Sequence, residues 1–371
     1  MSGKDESVTS KEGLRTTKAG RNIMKSAFLK TKGYRAFNKY REDTKEQFPD
    51  FEARFAKSLL REIKVDDTPN DTQRAFADEI GTDGLLLPAD QMDDVRMRLL
   101  NLDTMRDRVS RILNSNFVKM TFPVFNALFD AANPNESAEL KRDIVEGHIL
   151  AIDLSEPMDR IVDKDEDLEY LDDYRLMNPY ILKLARDKIS QGGESVLQAF
   201  EDGFKDARAG QYMDEKLKTQ SDSMTEEQMN FSYKKYRAVM GTAGKNMALD
   251  KMPLGEIFYS GMAHASEATG CGNEMEDSMQ NGYVKVPSWP LYYTVLSGDV
   301  RLGFSATIQK SRLYLEQARL TLDILPDGFT HVDFLKFLFM TVEHYNEFWY
   351  NKISKANMWE KFQDSLSVKK A

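Results

Sequence analysis

The chain of 371 residues has a net charge of −9, and hydrophobic residues make up 41% of it, which excludes wholesale disorder. Its single cysteine, Cys271, excludes a disulfide framework and a thiolate metal cluster within one chain. The N-terminus has no apolar signal-peptide core, and no stretch approaches ~18 uninterrupted apolar residues. We therefore expect an intracellular protein that is neither secreted by a signal peptide nor inserted in a membrane.

The first 41 residues form a basic segment on an otherwise acidic chain. Residues 1–41 hold eleven lysines and arginines against three acids, a net charge of +8, so the remainder carries −17. Four aromatic residues stand among these cations: Phe28, Tyr34, Phe37 and Tyr40. Such a mixture suits RNA contact through phosphates and stacked bases, but it also suits an arm that docks on the body or on a neighbouring subunit. We favour docking and assign the four aromatics to oligomerisation.

Apolar residues recur at helical spacing through most of the chain that follows. Helices are predicted over 48–63, 72–80, 89–118, 178–189 and 194–218, with another from Ser223 or Thr225. Between residues 151 and 174 lie ten acids and two cations, and we interpret this segment as an exposed acidic helix or loop. It is not a calcium loop, because Leu168 and Tyr174 stand where that loop requires Gly and Glu.

The last third of the chain contains the best strand candidates. Tyr283–Val286 and Leu291–Leu296 flank a Pro-Ser-Trp-Pro turn and are rich in β-formers, so a minor β-hairpin is the most sheet that we expect. Helices are predicted over 305–323 and from Thr330 to about 350. Residues 352–371 are predicted to form a short docking helix, in which we assign Trp359 and Phe362 to oligomerisation.

These elements predict a mainly α fold. We expect two helical lobes with a groove between them and extended terminal arms. The predicted units are a basic N-terminal arm (1–41), an N-terminal helical lobe (42–250), a C-terminal helical lobe (251–351) and a C-terminal arm (352–371).

No catalytic constellation is visible in the sequence. Residues 241–246 resemble a phosphate loop, but its first glycine and its Ser/Thr are missing. The four histidines have no zinc-site spacing, and Cys271 in its glycine-flanked position is more typical of a structural thiol. We therefore predict no catalytic residue, no metal, no cofactor and no enzymatic activity.

One segment carries a resemblance to a known family. Residues 253–263 (PLGEIFYSGMA) and 272–279 (GNEMEDSM) are similar to the segment after the hinge in mononegavirus nucleoproteins. The helical architecture with arms at both ends also resembles the nucleoproteins of negative-strand RNA viruses. This resemblance implies a basic groove between two lobes that clamps single-stranded RNA without reading its sequence, and arms that join subunits into a helical polymer found in the virion.

The residues around the proposed hinge supply candidates for such a groove. The cations Lys234, Lys235, Arg237, Lys245, Lys251, Lys310, Arg312 and Arg319 would contact phosphates, and Tyr233 and Tyr236 would stack on bases. These residues also suit solvated helix faces. The leading hypothesis is a nucleocapsid protein whose partners are RNA and itself. The alternatives are an isometric capsid protein, a helical cellular scaffold and an enzyme of unrecognised type.

Overall fold

The computed structural model describes residues 31–113, 115–162, 170–219, 224–284 and 286–368. In these ranges it contains fifteen α-helices joined by short connections and no β-strand. The helices are α1 Lys32–Val65, α2 Pro69–Ile80, α3 Met92–Leu99, α4 Leu102–Leu113, α5 Asn116–Ala132, α6 Ala138–Val162, α7 Leu171–Ile189, α8 Glu194–Lys218, α9 Glu226–Ser232, α10 Lys234–Met247, α11 Leu254–Asn281, α12 Trp289–Ser297, α13 Val300–Leu320, α14 Val332–Lys355 and α15 Trp359–Val368. Short 3₁₀ helices accompany them at Asp83–Leu85, Ser190–Gly192 and Thr321–Ile324. The prediction of a mainly α fold is confirmed.

The strand prediction for Leu291–Leu296 is wrong, because these residues form α12. Ser288 caps this helix, its Oγ accepting a hydrogen bond from the Leu291 amide at 3.2 Å, and Pro290 stands in the first turn. The cap and the buried side chains of Trp289 and Leu291 outweigh the β-propensity of the segment. The other strand candidate, Tyr283–Val286, forms no strand at its described positions.

Helix α1 begins within the segment that we predicted to be a basic arm. The Thr31 hydroxyl caps it by accepting a hydrogen bond from the Tyr34 amide at 3.1 Å. The Tyr34 and Phe37 rings contact Phe337 of α14, with centroids 5.8 and 5.4 Å apart. The Tyr40 hydroxyl donates to Asp130 at 3.1 Å. These aromatics thus pack within their own chain; their assignment to oligomerisation stays a prediction, and Phe28 lies outside the described residues.

The C-terminal helix also packs on its own chain. In α15, the Phe362 ring stacks on Phe304 at 5.4 Å and Trp359 meets the same ring edge-on at 5.6 Å. Both side chains are at most 9% exposed. Both residues therefore pack against α13, and their assignment to contacts between subunits stays a prediction.

The main hydrophobic core is continuous across residue 250. It joins residues from Phe51 on α1 to Val342 on α14, and it includes Met247 and Phe258 on either side of the proposed boundary. The division of the chain into lobes stays a prediction. No helix in the described ranges is long and apolar enough to cross a membrane.

The C-terminal ends of α5 and α10 lie next to each other. Asn133, just after α5, donates to the Met247 carbonyl at 2.7 Å, and Lys251 donates to the Ala132 carbonyl at 2.7 Å. The C-terminal ends of α5 and α10 therefore meet. The side chains of His148 on α6 and Asn246 on α10 approach to 3.1 Å.

Candidate functional site

Unusual polar groups collect around the beginning of α10. The neighbouring α8 and α11 run antiparallel to α10 and bring their C-terminal turns to this point, where Lys235 pairs with Asp214 at 3.0 Å and Arg237 with Glu267 at 2.7 Å.

Carboxylates stand in two groups. Asp214, Glu274 and Asp277 lie on the C-terminal turns of α8 and α11 beside the start of α10, and we call this region the acidic end. The second group lies on the last turns of α6 and the start of α7: Asp153, Glu156, Asp159, Asp172 and Asp173.

Glu274 is the most perturbed carboxyl of this region. It is 8% exposed, and its Oε2 accepts a hydrogen bond from the Trp289 amide at 3.0 Å. It also hydrogen-bonds the Tyr233 hydroxyl. Burial raises its pKa to about 8, so the carboxyl is largely protonated at pH 7. A neutral carboxyl here does not repel a bound anion as a carboxylate would.

Cys271 lies one helical turn before Glu274 and is fully buried. The Tyr233 hydroxyl points to its Sγ at 3.9 Å. Burial raises the pKa of this thiol well above its usual range and raises that of Tyr233 likewise. The thiol is therefore not a nucleophile in this structure, which agrees with the structural role predicted from the sequence.

An aromatic box surrounds a lysine beside these groups. Its members are the side chains of Tyr233, Trp289, Tyr293 and Tyr314 with the ammonium of Lys310. The Lys310 ammonium lies 3.9 Å from the centroid of the Trp289 ring and 5.5 Å from that of Tyr314. Its ion pair is with Glu226 at 3.3 Å. The π faces of this box thus stabilise a positive charge.

Ion pairs hold carboxylates of both groups. Lys235 pairs with Asp214 at 3.0 Å and joins the start of α10 to α8. Asp173, which is fully buried, accepts from Arg108 Nε at 2.6 Å and from Arg98. The Arg108 guanidinium lies 3.3 Å from the Tyr170 ring centroid. The guanidiniums of Arg98 and Arg108 thus both bind the Asp173 carboxylate and hold the start of α7 in place.

The structure pairs the cations that we predicted to contact RNA with groups of the same chain. Arg237 meets Glu267 at 2.7 Å, Arg312 meets Glu347 at 3.1 Å and Arg319 meets Glu343 at 2.6 Å. The remaining partners are Asp206 for Lys234, Asp214 for Lys235, Glu256 for Lys245, the Ala132 carbonyl for Lys251 and Glu226 for Lys310.

The two tyrosines that we predicted to stack on bases, Tyr233 and Tyr236, also pack within the chain. Tyr233 is 2% exposed and its ring meets the rings of Tyr236 and Trp289 at 5.1 and 5.6 Å. A base has no access to a ring face buried in this way, which corrects the stacking role of Tyr233. We predicted from the sequence that Tyr233, Tyr236 and Lys310 belong to one site. In the structure Tyr233 and Lys310 are members of the aromatic box, and Tyr236 contacts Tyr233 beside it.

Several residues of the site escaped the sequence analysis. His264, Glu267, Cys271 and Glu274 recur at intervals of three or four residues along α11, so they share one face of an otherwise apolar helix. This periodicity could have identified these residues, because their spacing alone predicts a polar face on α11. His264 accordingly pairs with Glu267 at 2.9 Å.

The described side chains form no metal cluster. Within that part of the chain, no three His, Cys, Asp or Glu side chains stand close enough to hold a metal ion. The side chains of Asp153, Glu156 and Asp159 are outside this description.

Comparisons with known proteins identify the fold. No protein-family model matches the sequence, and no curated protein matches it. Among solved structures, the chain is similar to a geranylgeranyl pyrophosphate synthetase from the archaeon Geoglobus acetivorans. The TM-score is 0.56 at 12% sequence identity, and the match covers 75% of this chain and 99% of that chain.

This similarity overturns the functional predictions made from the sequence. The predicted relationship to viral nucleoproteins is wrong, and with it the nucleocapsid function, because the fold is similar to that of a geranylgeranyl pyrophosphate synthetase. The prediction that the chain is not an enzyme is also contradicted, since the fold it shares belongs to one. At this identity the likeness shows the fold, and the chemistry must be argued from the site.

Proposed function

We propose that this protein is an enzyme that acts on an isoprenoid diphosphate. The observation that carries the proposal is the fold, which resembles that of a geranylgeranyl pyrophosphate synthetase over 99% of that chain, together with the carboxylates at helical spacing in the last turns of α6. A substrate of this class has a charged diphosphate and an apolar chain.

The diphosphate requires a counter-charge, and the chain offers oxygen ligands for a divalent cation. Asp153, Glu156 and Asp159 supply carboxylates at helical three-residue spacing, and Mg²⁺ in phosphate-handling sites is held by one or two carboxylates together with phosphate oxygens. In this proposal the three residues hold Mg²⁺, which would neutralise the charge of the diphosphate when bound.

Ligand-dependent thermal stability tests this proposal. We expect farnesyl or geranylgeranyl diphosphate with Mg²⁺ to raise the Tm, because a ligand that binds only the folded state stabilises it by mass action. The shift should vanish when EDTA replaces Mg²⁺ and should be much smaller with inorganic phosphate. Equal Tm values with and without these diphosphates would contradict the proposal.

A pair of variants on one helix locates the site. Asp159→Asn, at the C-terminal end of α6, should weaken Mg²⁺-dependent binding of the diphosphate at least about tenfold, because a carboxylate ligand is lost. Glu139→Gln, at the opposite end of α6, is the matched control; its side chain is 78% exposed and it should bind as the wild type does. Equal loss in both variants would place the diphosphate elsewhere.

A further inference from the structure

One arginine near the middle of α8 has no counter-charge. Arg208 is half-buried, and within the described part of the chain its guanidinium makes no ion pair. Its Nε atom is shielded from solvent and has no hydrogen-bond partner among the described groups. The helix itself supplies no carboxylate, because the residues three and four positions away are Phe204, Lys205, Gln211 and Tyr212.

A second arginine on the same aromatic ring shows what Arg208 lacks. The guanidinium carbons of Arg186 and Arg208 lie 5.7 and 5.8 Å from the centroid of the Phe204 ring. Arg186 is held by two carboxylates, since its Nε donates to Glu201 at 2.7 Å and its Nη1 to Glu79 at 3.2 Å. The two guanidiniums therefore share an aromatic contact and differ in their anions.

A half-buried guanidinium without an anion is unusual. Arginine keeps its charge at any pH at which a protein folds, so burial cannot be relieved by loss of a proton. Buried charges are normally paired. Three other arginines in the described ranges, Arg35, Arg74 and Arg301, also lack an ion pair, but all three are exposed to water. Arg208 thus has a place for an anion that the described side chains do not fill.

Arg208 lies on the stretch of α8 that follows its contacts with α6. Gly192, just before α8, lies so close to α6 that a Cβ on it would meet Ile144 Cδ1 at 2.8 Å. Further along, Phe200 of α8 meets His148 of α6, with ring centroids 5.8 Å apart. Residue numbers increase along both helices from the first contact to the second, so α6 and α8 run in the same direction.

This direction leads both helices from their contact towards charged side chains. Arg208 is about two turns beyond Phe200 on α8, and the carboxylates of the last turns of α6 begin about one and a half turns beyond His148. The unpaired guanidinium and those carboxylates therefore lie at comparable levels along the bundle. A diphosphate with its divalent cation needs groups of both signs, and these two helices supply them.

We propose that Arg208 binds the diphosphate group of the isoprenoid substrate. This assignment rests on the proposed function and adds to it a residue that meets the anion directly. The planar guanidinium presents its donors as a fork that matches the spacing of phosphate oxygens, so it can donate two parallel hydrogen bonds to one phosphate group. Arg208 recognises the head group, and the apolar chain of the substrate plays no part in its contact.

Calorimetric titration of Arg208 variants tests the assignment. Wild type and Arg208→Gln would be titrated with geranylgeranyl diphosphate and, separately, with inorganic pyrophosphate, each in the presence of Mg²⁺. We expect Arg208→Gln to weaken binding of both ligands at least about tenfold, because charge-assisted hydrogen bonds are lost. Arg208→Lys should recover part of the affinity, since it keeps the charge without the fork. Geranylgeraniol, which has no phosphate, should bind wild type and Arg208→Gln equally.

A matched variant and a measurement without ligand separate binding from folding. Arg74→Gln removes an exposed arginine of α2 that likewise lacks an ion pair, and it should bind both diphosphates as the wild type does. Without ligand, the Tm of Arg208→Gln should be no lower than that of the wild type, because the substitution removes an uncompensated charge. An arginine that held the fold together through an acid would lower the Tm when replaced.

The possible failures are distinguishable. If the wild type binds these diphosphates with Mg²⁺ and Arg208→Gln binds them equally well, the assignment of Arg208 is wrong while the proposed function stands. If the wild type binds neither ligand, both fail. A lower Tm of Arg208→Gln together with weaker binding of geranylgeraniol, or an equal loss of diphosphate affinity in Arg74→Gln, would also overturn the assignment.

Discussion

Two buried residues, Glu274 and His148, differ from their solution chemistry because of burial. Glu274 has no cation within ion-pair distance among the described contacts, and amide and hydroxyl groups satisfy it instead. His148 is the second case: it packs against Phe125 and Phe200, and burial lowers its pKa to about 3, so it stays neutral. From the sequence both residues are ordinary, because burial is a property of the folded chain.

Replacing Glu274 by Gln should change how stability depends on pH. The pKa of Glu274 is raised to about 8 in the folded state, so its contribution to stability is full below about pH 4.5 and is lost as the pH rises towards 8. Glutamine does not titrate. The free energy of unfolding of Glu274→Gln, relative to wild type, should therefore be higher at pH 8 than at pH 5 by at least about 1.4 kcal/mol.

Urea unfolding at the two pH values measures this difference. Glu360→Gln on the exposed face of α15 serves as the control and should differ from wild type by the same amount at both values. A pH-independent difference for Glu274→Gln would mean that this carboxyl is ionised in the folded protein.

At the scale of elements, the sequence predicted helices well and their interruptions poorly. The predicted bounds 194–218 coincide with α8, and the start near Thr225 coincides with its capping box, in which Thr225 and Gln228 exchange hydrogen bonds. The single helix predicted over 89–118 is instead divided among α3, α4 and α5.

Caps explain those interruptions. Asn101 Oδ1 accepts from the amides of Asp103 and Thr104 at 3.0 Å, and Ser115 Oγ accepts from the Val118 amide at 3.1 Å. Each cap begins a new helix in a sequence whose apolar spacing continues without a break. Periodicity alone therefore overlooks a helix start when the buried face persists across it.

Helix α11 packs closely because of its glycines, and Gly272→Ala tests this. A Cβ at Gly272 would lie 2.5 Å from the Tyr345 ring and closer still to Asn346 Oδ1. Asn346 cannot move freely, since its Nδ2 donates to the Ala268 carbonyl at 2.8 Å and to Ser311 at 2.6 Å. We expect a loss of about 1–3 kcal/mol in the free energy of unfolding.

Gly255→Ala on the same helix is the control. There a Cβ would find no atom nearer than 3.5 Å, so we expect unchanged stability or a gain of up to about 1 kcal/mol from helix propensity. Denaturant titration of both variants gives the comparison, and equal effects would show that close packing at Gly272 is unimportant.

At the scale of the whole molecule, charge layout misled the functional prediction. The cations that resembled a phosphate-binding surface are neutralised by acids distant in sequence, as Arg319 is by Glu343. Such pairs depend on which helices become neighbours, and one sequence does not reveal this. The all-helical class followed from periodicity, whereas the isoprenoid synthase fold became visible only from the arrangement of the helices.

The continuous core predicts cooperative unfolding. All three tryptophans, Trp289, Trp349 and Trp359, lie after residue 250, so their fluorescence reports the C-terminal part, whereas far-UV circular dichroism reports all helices. We expect the two unfolding midpoints to coincide. Phe37→Ala, which removes a contact of α1 with α14, should lower both together. Separate midpoints would instead support two lobes divided near residue 250.

The most direct test of the proposed function is release of pyrophosphate by the wild-type protein. Purified protein would be incubated with farnesyl or geranylgeranyl diphosphate and Mg²⁺, with and without isopentenyl diphosphate, and pyrophosphate and hydrocarbon products would be measured. We predict multiple turnovers per chain that cease when EDTA is added, with a prenyl product in the organic phase. No pyrophosphate above the protein-free control with any of these substrates, from protein shown to be folded, would contradict the account.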